Sequence, residues 1–133
     1  MRIMLDTNIL ISIVIFDSKY LKELLEKICD NYNLVLSSFI IDELNTVIDK
    51  KFPNKKEALE KFLYKIPYDL EYIPDTILND AKIEIRDKND IPILYSAILA
   101  DIDILIWGEK DFDNVNLKRP KIMNARTFLE KYG

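Results

Sequence analysis

The sequence predicts an α/β fold: a parallel sheet with helices on both faces, in one domain spanning residues 1–133. Three observations carry this. Short apolar runs recur at Arg2–Leu5, Leu34–Leu36 and Ile102–Trp107. Segments with helical periodicity lie between them, and strands alternating with helices favour a parallel sheet buried on both faces. With only two glycines and five prolines in 133 residues, long flexible linkers are not expected, and the length suits a single core.

Taken in order, Arg2–Leu5 reads as a buried strand followed by a polar turn at Asp6-Thr7-Asn8. Lys19–Asn31 carries Leu21, Leu24, Leu25 and Ile28 at helical spacing, the stripe of an amphipathic helix. Leu34–Leu36 is a second strand, closed by Ser37-Ser38, whose hydroxyls suit a helix N-cap. The next helix turns Ile40, Ile41, Leu44, Val47 and Ile48 inward, and Pro53 opens another over Asn54–Lys65. Leu70–Ile73 suggests a short strand. Beyond the polar stretch Arg86–Asp90, a helix is expected over Pro92–Ala100, since proline is tolerated in a first turn. Ile102–Trp107 is a third strand, interrupted by Gly108 and an acidic loop, Glu109-Lys110-Asp111-Phe112-Asp113. Lys121–Met123 is a last strand, and Asn124 caps a final helix through Tyr132.

Composition narrows the chemistry. The chain has no histidine, which removes Ser-His-Asp and Cys-His nucleophile systems, because no imidazole is present to take the proton. With one cysteine as well, a zinc site has too few ligands. Hydrolytic chemistry is left to carboxylates, lysine, tyrosine or a metal held by oxygen. The lone Cys29 rules out an internal disulfide and suits a reducing, cytoplasmic setting; among Leu24, Leu25 and Ile28 it reads as packing. No segment approaches the roughly 18 apolar residues of a membrane span. The run Asn8–Phe16 is broken by Ser12 and followed by Asp17, unlike a signal peptide. A net charge of −4 argues against bulk attraction to nucleic acid, so a phosphate substrate needs a divalent cation or a local basic patch.

Four carboxylates from distant segments fall at one edge of such a sheet. Ligands of open parallel sheets bind beyond the carboxyl ends of the strands. Asp6 follows the first strand, Glu43 lies in the first turns after the second, Asp90 opens the helix leading to the third, and Glu109 follows the third. Each has an ordinary explanation. An aspartate ending a strand is commonly a turn former or cap, Glu43 beside Asp42 interacts favourably with a helix start, Asp90 reads as an N-cap, and Glu109-Asp111-Asp113 reads as a solvated loop. Asp6 departs most from its ordinary reading, because Ile3, Met4, Leu5, Ile9, Leu10 and Ile11 surround it, and polar groups in such a run must be satisfied or functional. Crowded carboxylates repel unless a cation neutralises them, and hard oxygen ligands suit Mg²⁺ or Mn²⁺.

Met4-Leu5-Asp6-Thr7-Asn8-Ile9-Leu10 resembles the opening hydrophobic-Asp-Thr-Asn motif of PIN domains. Leu36-Ser37 with Glu43-Leu44 resembles their second motif, and Arg86-Asp87-Lys88-Asn89-Asp90-Ile91-Pro92, before a helix containing Ala97, resembles the third. Ile104–Phe112 is similar to the fourth, and Thr127-Phe128-Leu129 to the closing helix. In this order the motifs cover nearly the whole chain, and they resemble in particular the VapC-like toxin branch of the family. Two departures fall in the fourth motif: Trp107 stands where a small hydroxyl residue is usual, and Glu109 where aspartate is usual.

The resemblance implies a Rossmann-like three-layer α/β/α sandwich and Mg²⁺- or Mn²⁺-dependent endonucleolytic cleavage of RNA by a metal-activated water. It also implies a small antitoxin protein as partner, no membrane association, and room for a homodimer. Carried over, Asp6, Glu43, Asp90 and Glu109 are catalytic and metal-ligating, Asp111 shares the fourth ligand's task, and Thr7, Asn8 and Ser37 support them. Lys50, Lys51, Lys55, Lys56, Lys61 and Lys65, with Tyr64 and Tyr68 nearby, read either as a solvated helix face partly paired with Glu57 and Glu60 or as a track for RNA phosphates. The rival from another class is a non-catalytic PIN-like module that binds RNA or a protein. A receiver or phosphohydrolase is disfavoured, since Asp6 is followed by Thr7-Asn8 and not by an Asp-x-Asp pattern.

Overall fold

A computed structural model describes residues 1–74, 91–108 and 119–133. In chain order its elements are β1 (Arg2–Leu5), α1 (Thr7–Val14), α2 (Lys19–Asn31), β2 (Asn33–Ser37), α3 (Ser38–Lys51), a 3₁₀ turn (Pro53–Lys55) and α4 (Lys56–Lys65). β3 (Asp69–Glu71), α5 (Ile91–Leu99), β4 (Ile104–Trp107), β5 (Lys121–Asn124) and α6 (Ala125–Tyr132) follow. The five strands form one parallel sheet in the order β3-β2-β1-β4-β5.

Consecutive residues of the central strands are buried: Ile3, Met4 and Leu5, then Leu34, Val35 and Leu36, then Ile104, Leu105 and Ile106. Neighbouring side chains on a strand point to opposite faces, so both faces of the sheet are covered, as the α/β sandwich requires. The edge strand β3 differs, with Asp69 and Leu70 exposed. The amphipathic reading of α2 holds over its full length: Leu24, Leu25 and Ile28 are buried, and the Ser18 hydroxyl caps its start by accepting from the Leu21 amide.

Several boundaries differ from the sequence reading, each for a local reason. Thr7 and Asn8 are not a turn; they begin α1, with Asp6 as its N-cap. The segment opened by Pro53 starts as a 3₁₀ turn and becomes helical at Lys56. Ile102 lies outside β4 because its amide donates to Ala97 O at 3.0 Å, closing the end of α5. Near the amino end of the sheet, Phe128 of α6 is buried and stacks on Tyr132, with their centroids 5.3 Å apart. It also meets Tyr32 edge-on, fastening α6 beside the start of β2. Cys29 is half-buried, and burial, with Asp30 adding to it, raises its thiol above the usual range. It is a packing residue and not an activated nucleophile.

Candidate active site

β1 runs between β2 and β4, so whatever follows Leu5 emerges at the middle of the carboxyl edge. The pairing of Ile3 with Leu34, continued three residues, brings Asp6 level with Ser37. The pairing of Leu5 with Ile106 and of Ile106 with Met123, continued one residue, brings Asp6 level with Trp107 and Asn124. The Asp6 amide extends the ladder by donating to Ile106 O at 3.2 Å.

Asp6 is 1% exposed. Its Oδ1 accepts from the Ile9 amide at 2.9 Å, the N-cap bond of α1, and its Oδ2 accepts from the Gly108 amide at 3.1 Å. The ordinary reading of Asp6 as a cap is therefore correct and incomplete. One oxygen holds a helix, and the other ties the end of β1 to the end of β4. Each oxygen also has a second lone pair. A Cβ added at Gly108 would lie 3.5 Å from Asp6 Oδ2, in ordinary contact, so the chain there passes close over the carboxylate.

Beside it, Thr7 is 4% exposed and its hydroxyl has no hydrogen-bond partner among the described residues. An unmet buried hydroxyl costs about 1–3 kcal/mol, and this one belongs to the residue that follows the buried carboxylate in the chain. Asn8, by contrast, is exposed. Ser37 already has two structural tasks: its Oγ accepts from the Ile40 amide at 3.2 Å, capping α3, and lies 3.0 Å from the Ser96 hydroxyl of α5. Ser38 fastens the other side by accepting from the Ile73 amide at 2.8 Å. The start of α3 is thus pinned to α5 and to the segment after β3.

That pinning fixes Glu43, half-buried on α3. Because α3 begins at Ser38, Glu43 is its sixth residue, beyond the first turn in which the helix dipole acts. The dipole explanation for this carboxylate therefore fails. Asp90, Glu109 and Asp111 lie outside the described residues, Asp90 just before α5 and Glu109 just after Gly108 in the chain. Of the five expected carboxylates only Asp6 and Glu43 are described, and among the described residues no group of three or more acidic or cysteine side chains gathers as a metal cluster. The donor types that are described, the carboxylate oxygens of Asp6 and Glu43 and the hydroxyl of Thr7, are hard oxygen ligands of the kind that suits a divalent cation.

Sequence reasoning missed the cavity next to this edge, a space of about 710 Å³ between α1, α2, the end of β4 and the start of α6. Its only sequence signals are Trp107 ending a strand and Asn124 opening a helix.

The family model for the PIN domain matches residues 2–111. The chain belongs to the PIN domain family. Among curated proteins no significant match is found. Among solved structures, the PIN chain described here superposes on a chain from the VapBC2 structure of Rickettsia felis, which is bound to a DNA fragment from its promoter. The TM-score is 0.69 at 22% identity, over 93% of this chain and 98% of the other. At that identity the likeness establishes the fold, including the three-layer sandwich expected from the sequence.

Proposed function

We propose that this PIN domain is a divalent-metal-dependent endoribonuclease and the toxin of a toxin–antitoxin pair, working in the cytoplasm with a small antitoxin protein as partner. The observation that carries the nuclease reading is the buried Asp6 carboxylate, clamped by two backbone amides at the carboxyl edge with the unmet Thr7 hydroxyl beside it. The partner reading rests on the motif resemblance and on the kinship of fold with the VapBC2 structure. No helix among the described residues is long and apolar enough to cross a membrane.

In this reading Asp6 is the central ligand for Mg²⁺ or Mn²⁺. Glu43 and Asp90 would complete the ligand set or orient water, and Glu109 or Asp111 would supply a further carboxylate. A bound cation of this kind lowers the pKa of a water and offsets charge building on the phosphate. The chain's own contribution is to hold Asp6 still: two N–H donors fix both oxygens, so the carboxylate need not reorganise when RNA arrives. Glu43, on a helix whose start is bolted to its neighbours, keeps its place in the same way.

The test is cleavage of RNA by the parent protein and by Asp6→Asn in Mg²⁺, in Mn²⁺ and in chelator. The expected result is cutting by the parent in either metal, none in chelator, and none by the variant. RNA that is bound but left uncut in both metals would move the chain to the non-catalytic reading.

A further inference from the structure

The cavity of about 710 Å³ is lined at the end of β4 by Trp107 and Gly108, and the Gly108 amide is the one that grips Asp6. Its walls combine three kinds of chemistry. Aromatic rings come from Phe16 in the α1–α2 turn, Tyr20 in the first turn of α2, and the buried Trp107. Side-chain amides come from Asn8 and Asn124, and a guanidinium from Arg126. Phe16 is 65% exposed and Tyr20 48% exposed, large rings facing water next to a hydrolytic centre.

The rings are held in position. Asp17 adopts a left-handed backbone, φ 53°, which aspartate tolerates better than most residues, and its carboxylate pairs with Lys22 of α2. The Phe16 ring is met edge-on by Phe52, with centroids 6.0 Å apart. Asn124 Oδ1 accepts from the Thr127 amide at 2.8 Å to cap α6, which leaves its NH₂ group to donate elsewhere. Among the described residues Arg126 makes one contact, exposed, from Nε to Glu130 at 3.2 Å, which leaves its terminal nitrogens as donors toward the cavity.

We propose that this cavity is a nucleobase subsite, taking one unpaired RNA nucleotide next to the phosphate that is cut. The inference rests on the ribonuclease reading above and adds where its sequence preference is set. Exposed aromatic rings stack on any base, the amides of Asn8 and Asn124 read the base edge, and Arg126 neutralises a flanking phosphate. The space is larger than a single base needs, which leaves room for its ribose. A nucleotide suits this lining because it offers a π-face to the rings, a hydrogen-bonding edge to the amides of Asn8 and Asn124, and a phosphate to Arg126. A base in this cavity orders the adjoining linkage over Asp6, so binding energy gained here serves cleavage there.

The experiment uses the parent chain and three variants, Tyr20→Ala, Phe16→Ala and Arg126→Gln, on a short single-stranded RNA that the parent cuts in Mn²⁺. One nucleotide at a time along that RNA is replaced by an abasic residue. The subsite predicts that one abasic position, adjoining the cut, lowers parental kcat/KM by about tenfold, chiefly through KM. Tyr20→Ala should cause a similar loss on the intact RNA and be insensitive to that same abasic position, since the two changes remove one contact. Arg126→Gln should instead flatten the salt dependence of KM. Circular dichroism of each variant checks that these partly exposed side chains are not needed for folding. RNA that is cut, with no abasic position special and Tyr20→Ala indifferent, overturns the subsite and leaves the nuclease reading standing. Competition by an antitoxin-derived peptide, without any base dependence, assigns the cavity to protein and overturns it equally. If no RNA is cut in either metal, the nuclease reading fails and the subsite falls with it.

Discussion

The two ends of the sheet treat their acids in opposite ways. At the amino end Asp103 accepts from the Arg2 amide at 2.7 Å and from Arg119 at 2.7 Å, and Arg119 also pairs with Asp101. The Arg2 amide, with help from Arg119, holds the Asp103 carboxyl below its usual range, while the hydrogen bond to Asp103 raises the Arg119 guanidinium above its own. At the carboxyl end Asp6 is deeply buried and gripped by backbone amides. These fix both of its oxygens, and the hydroxyl of the next residue, Thr7, has no hydrogen-bond partner among the described residues. At the amino end a guanidinium joins a backbone amide in holding the acid, whereas the two hydrogen bonds described for Asp6 both come from backbone amides.

Four substitutions test this contrast, from the largest effect to the smallest. Asp6→Asn keeps an N-cap oxygen for Ile9 but turns an NH₂ group toward the Gly108 amide, so one buried donor loses its acceptor. The expected cost is about 1–2 kcal/mol in denaturant unfolding, far less than the loss of cleavage, which should reach about a hundredfold or more because groups merely orienting a metal ligand already account for about 10–100-fold. Cleavage at the parental rate would remove Asp6 from the chemistry.

Thr7→Val separates site from scaffold. Deleting a hydroxyl with no partner should leave stability unchanged or raise it by up to about 1 kcal/mol, while cleavage falls by about tenfold. Lower stability with parental cleavage would mean that the hydroxyl serves the fold. Ser37→Ala removes the α3 cap and the contact with Ser96, for which a loss of about 1–2 kcal/mol is expected in thermal unfolding; its effect on cleavage should follow only from the loosening of Glu43.

Asp103→Asn probes the opposite end. A carboxyl whose folded pKa lies below its unfolded value stabilises the fold above the unfolded pKa, and the benefit is lost as pH falls through the folded value. The variant should therefore melt slightly below the parent at neutral pH, by a few degrees at most since the partners are half-exposed. The two curves should converge under acid, below the ordinary carboxylate range. A gap that persists there would point to packing and not charge. RNA cleavage should not change.

Much of the fold was legible because its periodic segments face one neighbour each. α2 was delimited at Lys19 and Asn31 by the spacing of Leu21, Leu24, Leu25 and Ile28, and Asn124 was recognisable as the cap of α6. α1 was not legible as a helix: it touches α2, α3 and α4, so its apolar residues surround it and form no stripe, and Asn8–Phe16 reads simply as an apolar run. The β3 register slipped because Ile73, the buried apolar residue that suggested the strand, lies beyond its end and bonds to Ser38. In the site, Asp6 stood out as the acid inside an apolar run. The amide of Gly108, the unmet Thr7 hydroxyl and the cavity beside Trp107 could not be read, because backbone donors and empty space leave no mark on residue type. Asp90, Glu109 and Asp111 rest on motif alone and lie outside the described residues.

The bond from Gly108 to Asp6 spans 102 residues of chain, and that separation has a temporal meaning. Translation proceeds at about 5–20 residues per second, so roughly 5–20 s pass between synthesis of the aspartate and synthesis of the amide that locks it. β1 finds its first neighbour, β2, early in synthesis, but its second, β4, lies about a hundred residues downstream. A nascent chain on the ribosome thus carries the acid but not the clamp. Chains that stop before residue 108 would carry the acid without the amide that ties the end of β1 to the end of β4.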